Sequence, residues 1–500
     1  MPCRVSALLA VTFFVAVSPS LHADSIGNKN HPPAQKYNES GAAKYAKEDL
    51  DGAIADYTQA IQLDPKFASA YFNRGLARQD KGQLKDAISD YDQAIKLDPQ
   101  YADAYVNRAQ AKDDNDDDDG AISDNTMAIK LTPNDPFPYN NRGWAYYHKG
   151  NYTAAIADYN AALKLDPKLA QPYNDRGIAE RDQGNLPAAI ADYSHSIQLD
   201  PQNDEAYYNR ALARDESGDP DSALNDYDQA IRIDPSYARA YLHRAELKSE
   251  KSDMDGAIAD FNQAIKLDPK DAGAYNERGL AWARQSKTTE ALSDYNEALK
   301  IDPENPNALN NRANLSKEKG DLDSALTDYN AAIKSNDQCA AAYNGRGIIK
   351  QMRGDLAGAQ ADYEQSLKID KDNAEAYSNL SSLAEAQKND AAALDYADKA
   401  IKISPDFAEA YNNRGVIKYK QHDVTGALAD YDRALQLNAD DEHAYNNRGL
   451  ALQATGDFDS AVADYNQAIE IDPTFSAAQH NLVWAQLRQG NIVSALIDLW

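Results

Sequence analysis

Prolines recur at a fixed interval of 34 residues: Pro65, Pro99, Pro133, Pro167, Pro201, Pro235, Pro269 and Pro303, with Pro405 and Pro473 in the same phase. Asp337, Lys371 and Ala439 fill the three remaining slots without a slip of register. Counted from Ala34, the 500-residue chain holds thirteen whole repeats and a partial fourteenth of 25 residues. Such a period rules out a single central core: each repeat can bury its apolar face only against its neighbours, and stability builds along a stack. The repeat from Ala68 to Tyr101 shows what is stacked. Tyr71, Gly75 and Arg78 fall at helical spacing, Gly82 interrupts, and Ala87, Tyr91 and Ala94 mark a second helix. Asp98 is pushed out of helical geometry by Pro99 and ends it. Each repeat is therefore expected to be two antiparallel helices, and the chain all-α.

The small slots explain the packing. The eighth is Gly or Ala in almost every repeat (Gly75, Gly143, Ala211, Gly449) and the twentieth is Ala from Ala53 to Ala495. Small side chains let the paired helices approach, while Tyr at slots four and twenty-four, as in Tyr71 and Tyr91, is expected to fill the space between repeats. The period with its small, aromatic and proline slots resembles the tetratricopeptide-repeat family over residues 34–500. The resemblance implies a right-handed superhelix whose first helices line a concave groove that takes peptides or partner proteins.

Two slots depart from the family pattern. The seventh, usually Leu, is Arg in most repeats (Arg74, Arg108, Arg142, Arg176, Arg210), and the twenty-third is Asp (Asp90, Asp124, Asp158, Asp192, Asp226). The eleventh repeat loses both together, with Leu380 and Tyr396. An Arg–Asp ladder is expected, within each repeat or to the previous one.

In the groove that the resemblance implies, slots two, five, six, nine, twelve and thirteen of each first helix would face a ligand. Slots five and six are rich in Asn, including Asn140, Asn141, Asn174, Asn276, Asn311, Asn413 and Asn447. Each amide can both donate to and accept from a peptide backbone, so these are candidate partner-binding residues. The fourth repeat adds Phe137, Trp144, Tyr147 and His148 at slots two, nine, twelve and thirteen. Aromatics on a concave surface are typical anchors, although packing against neighbouring repeats would also account for them. A carboxylate clamp for a chaperone tail is not encoded: Arg239 and His243 lack the companions it needs.

Residues 1–23 have the layout of a secretory signal peptide: Arg4, an apolar run from Val5 to Val17, a Ser-Pro-Ser break and Ala23 at a cleavage position. A short linker, 24–33, follows. The chain is expected to be exported, periplasmic or secreted, with an uncleaved membrane anchor as the competing reading and no membrane insertion after cleavage. Only Cys3 and Cys339 are present, so loss of the signal leaves no disulfide. The formal net charge is −28, which repels phosphate backbones and anionic lipid and argues against nucleic-acid partners.

The acidic stretch 113–119 could supply a calcium loop through Asn115, Asp117, Asp119 and Gly120, but the twelfth position is Thr126 instead of Glu. A solvated turn is the preferred reading. No metal, cofactor or catalytic motif is found, and the repeats fill the mature chain. The expectation is a non-enzymatic scaffold that binds partner proteins or extended peptides in the groove. The alternative is a structural subunit of a bacterial envelope assembly or export machine. Val483, Trp484, Leu499 and Trp500 would leave an apolar C-terminal end, through which the chain could self-associate.

Overall fold

The computed structural model describes residues 32–490. The expected signal segment, almost all of the linker and residues 491–500 lie outside the described residues. Among the described residues there are 27 helices and no strand. They alternate as first and second members of pairs, from α1 (Pro32–Tyr45) with α2 (Leu50–Leu63) to α25 (Glu442–Thr455) with α26 (Phe458–Ile471); α27 (Ser476–Arg488) opens the fourteenth repeat. The chain divides into two compact blocks between Leu267 and Asp268. The first ends with α14 (Met254–Leu267) and the second begins with α15 (Ala272–Arg284).

Within each block the pairs stack in chain order. Successive first helices touch, from α1 to α11 (Asp204–Glu216) in one block and from α15 to α27 in the other; no second helix makes a comparable contact with the next second helix. The first helices thus form a continuous face in those stretches.

Each pair is joined by a tight turn whose fifteenth slot has positive φ in all repeats, from Ser286 at 59° to Gly456 at 87°. Eight of these residues are glycine, which adopts that conformation without a steric penalty. The next residue is commonly Asp or Asn and caps the second helix: Asp49 accepts from the Gly52 N–H and Asp321 from the Ser324 N–H. At the far end Asp98 is extended (φ −131°, ψ 91°), as the following proline requires.

Tyr91 is fully buried, and a Cβ on Gly75 would meet its ring at 2.6 Å. Slot eight is therefore small because the tyrosine of the same repeat lies on it, so this ring packs within a repeat and not only between repeats. Arg74 makes a two-pronged bond to Asp90 of its own repeat, Nε at 2.9 Å and Nη2 at 2.6 Å. Its Nη1 donates to Thr58 Oγ1 of the preceding second helix at 3.1 Å. The same three-way arrangement recurs at Arg108 with Asp124 and Asp92, and at Arg448 with Asp464 and Asp432. Most of these arginines also lie over the tyrosine one turn before them, Arg176 at 5.4 Å from the Tyr173 ring; Arg312 has Leu309 there instead. The ladder runs within and between repeats at once.

Candidate partner-binding face

The fifth-slot asparagines do not face outward. Asn140, Asn174 and Asn276 are buried, because neighbouring first helices approach closely enough for one amide to reach the next. Where the sixth slot and the fifth slot of the repeat before are both asparagine, the sixth-slot Nδ2 donates to the fifth-slot Oδ1: Asn311 to Asn276 at 3.0 Å, Asn447 to Asn412 at 3.0 Å, Asn209 to Asn174 at 3.1 Å. Asn413 donates to Ser378 Oγ at 2.9 Å instead. The fifth-slot asparagines are thus taken into the stack, while sixth-slot Asn311, Asn413 and Asn447 stay half-buried. A buried amide left unpaired costs about 1–3 kcal/mol, and the interlocking of first helices consumes most of these groups. Asn141 is the exception. The preceding fifth slot is Val106, so the half-buried Asn141 amide finds no partner among the described residues.

The fourth-repeat aromatics come together on α7 (Pro136–His148). Trp144 stacks on Tyr147 with centroids 5.1 Å apart, and His148 meets Trp144 edge-on at 4.9 Å. Tyr147 is partly structural: its hydroxyl donates to Asp182 of α9 (Ala170–Asp182) at 2.6 Å, and its ring packs on the core of the fifth repeat. Burial pushes its hydroxyl pKa up, and the Asp182 bond adds to this. Phe137 is 47 % exposed, and His148 is also exposed. Trp144 is half-buried.

His148 also faces two carboxylates, Asp113 at 3.5 Å and Asp118 at 3.6 Å. The Asp113 contact raises the imidazole pKa, against the opposing effect of burial. Burial, then the Asp113 charge, raises that of Asp118. Donor atoms of the three lie within 4.8 Å of one another, a spacing that could hold a metal ion. The residues of the calcium reading are placed differently. Asp117 accepts from the Gly120 N–H as the cap of α6 (Asp118–Leu131), and Asp119 pairs with Lys149 at 3.1 Å.

Sequence reasoning missed a second region. A cavity of about 380 Å³ opens on the first-helix face beside the eleventh to thirteenth repeats, lined among others by Glu385, Glu409, Asn412, Asn413, Asp441 and Asn447. These occupy slots two, five, six and twelve, with Asp441 at the cap of the next helix. Slot position had marked the asparagines, but acids at slots two and twelve look like ordinary solvated charges in a sequence. In the lining of the cavity, the eleventh repeat has Ser381 where the other whole repeats have Gly or Ala, with its hydroxyl donating to the Ala393 carbonyl at 2.8 Å.

At the C-terminal end Val483 is buried and Trp484 is 60 % exposed; Leu499 and Trp500 lie outside the described residues. Among the described residues no helix is long and apolar enough to cross a membrane.

Helix pairs of constant length, stacked so that first helices share one face, define a helical-repeat array of the kind that presents a surface to other proteins. Tetratricopeptide-repeat profiles match residues 136–169, 204–237, 242–306, 294–327, 352–408, 408–441 and 443–475, and the related TPR repeat profile matches 41–82, 77–113 and 177–218. The chain belongs to the tetratricopeptide-repeat family. It is similar in fold to the Cut9–Hcn1 hetero-tetramer of the APC/C, with a TM-score of 0.56 at 14 % identity, covering 91 % of this chain and 96 % of that one. Yeast Tom70 aligns with a TM-score of 0.39 at 18 % identity over 89 % of this chain and 98 % of its own. A tetratricopeptide repeat protein from Parabacteroides merdae aligns with a TM-score of 0.40 at 21 % identity over 50 % of this chain and 98 % of its own. No curated protein sequence matches the chain.

Proposed function

We propose that the chain is an exported, non-enzymatic scaffold that holds an extended segment of a partner protein along its first-helix face. The observation that carries this is the fourth-repeat cluster on that face, where exposed Phe137 and His148 flank half-buried Trp144 and the unpaired amide of Asn141. An apolar anchor beside a free donor and acceptor suits a polypeptide, which offers both a side chain and a backbone amide. Tyr147 supports the cluster from below through Asp182. The paired and buried Asn174 and Asn276 hold the face in register with Asn209 and Asn311. Export rests on the layout of residues 1–23, and a periplasmic or secreted location follows from it.

The test is affinity capture from an envelope extract with the full chain and with a Phe137→Ala, Trp144→Ala variant of equal helicity by circular dichroism. Loss of a captured protein in the variant is the expected result. Equal capture by both would move recognition off this face and favour a subunit of an envelope assembly that makes its contacts elsewhere.

A further inference from the structure

The eleventh repeat lacks the ladder: Leu380 and Tyr396 replace the arginine and aspartate found elsewhere, and the cavity of about 380 Å³ opens beside it. That volume lies within the range of small-ligand sites. Its charges are poorly balanced. Glu385 is neutralised by Lys420. Asp441 is held by the Ala444 N–H at 2.9 Å as a helix cap. Glu409, on α23 (Ala408–Lys420), has no cationic partner among the described residues; nor has Glu375, one repeat earlier on α21 (Ala374–Ala386), which receives only the Asn344 amide at 3.4 Å. Burial raises the Glu409 carboxyl pKa, and the charges of Glu375 and Asp441 raise it further.

A second observation points to a ligand. Asn412 is only 9 % exposed and lines the cavity. Its oxygen accepts from Asn447 at 3.0 Å, yet its NH2 group has no partner among the described residues. The NH2 nitrogen keeps some solvent access, so an acceptor entering the cavity can reach it without displacing a protein hydrogen bond.

We propose that this cavity takes a lysine or arginine side chain from an extended segment of a partner protein, with Glu409 receiving the positive charge and the Asn412 NH2 donating to a backbone carbonyl of the segment. Glu375 and Asp441 add to the attracting field from either side. This rests on reading the first-helix face as the binding surface, and it names the chemistry of the partner. The occupant is a polypeptide because the site combines a cation acceptor with a free donor suited to a carbonyl. A net charge of −28 draws basic chains toward the molecule as a whole, so local specificity must be separated from general attraction.

The experiment is fluorescence anisotropy with the full chain at about 0.15 M salt, where surface charges are screened beyond ~8 Å. The probe is a labelled peptide of alternating Ser and Lys, with a Ser–Glu peptide and free spermidine as comparisons. Parent protein is measured beside Glu409→Gln, the Glu375→Gln, Glu409→Gln double variant, and Glu297→Gln on a second helix as control. The Ser–Lys peptide should bind the parent, weaken about tenfold or more in Glu409→Gln, and bind Glu297→Gln as it binds the parent. Unchanged affinity in Glu409→Gln, or equal losses in all variants, would overturn the assignment. Displacement by spermidine at concentrations equal to the peptide's would replace the polypeptide with a small free cation, and would also overturn it. If the fourth-repeat variant loses a captured partner while the Ser–Lys peptide never binds, this inference fails and the general reading of the face stands.

Discussion

Arg176 and Arg210 occupy the same slot in neighbouring repeats but differ in what would remain without them. Asp192 has Arg176 as its charged partner, with side chains 20 % and 9 % exposed. Asp226 is held by Arg210 and also by Arg214 at 2.6 Å. Arg176→Ala strands a nearly buried carboxylate and should cost about 3 kcal/mol; Arg210→Ala should cost clearly less. Native-state hydrogen exchange in the fifth and sixth repeats reads both, and equal effects would show that the second cation contributes nothing. Asp175 supplies the opposite case. It stands where other repeats have the sixth-slot asparagine and is buried, accepting from Asn140 Nδ2 at 3.0 Å and Gln171 Nε2 at 2.8 Å. Burial pushes its pKa up to about 7, and Asn140 Oδ1 is left unpaired. A raised carboxyl pKa means that the folded state binds more protons, so stability falls as pH rises from about 4, the ordinary value, to about 7. Asp175→Asn should remove that slope and stabilise the repeat by about 1–3 kcal/mol above pH 7 by restoring the amide pair. Native-state hydrogen exchange of the fifth repeat at pH 5 and pH 8, corrected for intrinsic exchange rates, checks the sign; a variant less protected than the parent at pH 8 would contradict it.

At the scale of the helix pair, most of the structure was legible in the chain. The proline period, the small eighth slot and the helix-breaking turn each have a local cause, and each appears where the pattern placed it. What escaped the pattern depends on distances between helices. Arg74 and Asp90 were a recognisable pair, but the third bond to Thr58 requires knowing that the preceding second helix passes within reach. Likewise Asn276 and Asn311 fall on a ligand-facing arc of an ideal isolated helix, and only the close approach of first helices turns them toward each other. The acids near the cavity went unmarked for the same reason. The turns yield a further prediction. Ser252 and Lys388 hold positive φ values of 66° and 60° where most repeats have glycine. Ser252→Gly and Lys388→Gly should each stabilise their repeat by about 1 kcal/mol, measured as slower hydrogen exchange of the adjoining helices. Faster exchange would show that the side chain compensates the strain.

At the scale of the whole molecule, a stack of nearest-neighbour interfaces has no single unfolding free energy, which is why the stability tests are read repeat by repeat. Repetition also gives the departures their meaning. Arginine, aspartate and asparagine ladders hold successive repeats in one register, and the fourth and eleventh repeats step outside that pattern with exposed aromatics and a cavity. The central claim is that recognition belongs to the first-helix face. Site-specific photo-cross-linking tests it most directly, with a photoreactive residue placed in turn at Phe137 and Val416 on first helices and at Lys96 and Lys300 on second helices, each variant exposed to envelope extract. Adducts with a partner from Phe137 or Val416, and none from Lys96 or Lys300, are predicted. Adducts confined to Lys96 and Lys300 would contradict the account and place the working surface on the second helices.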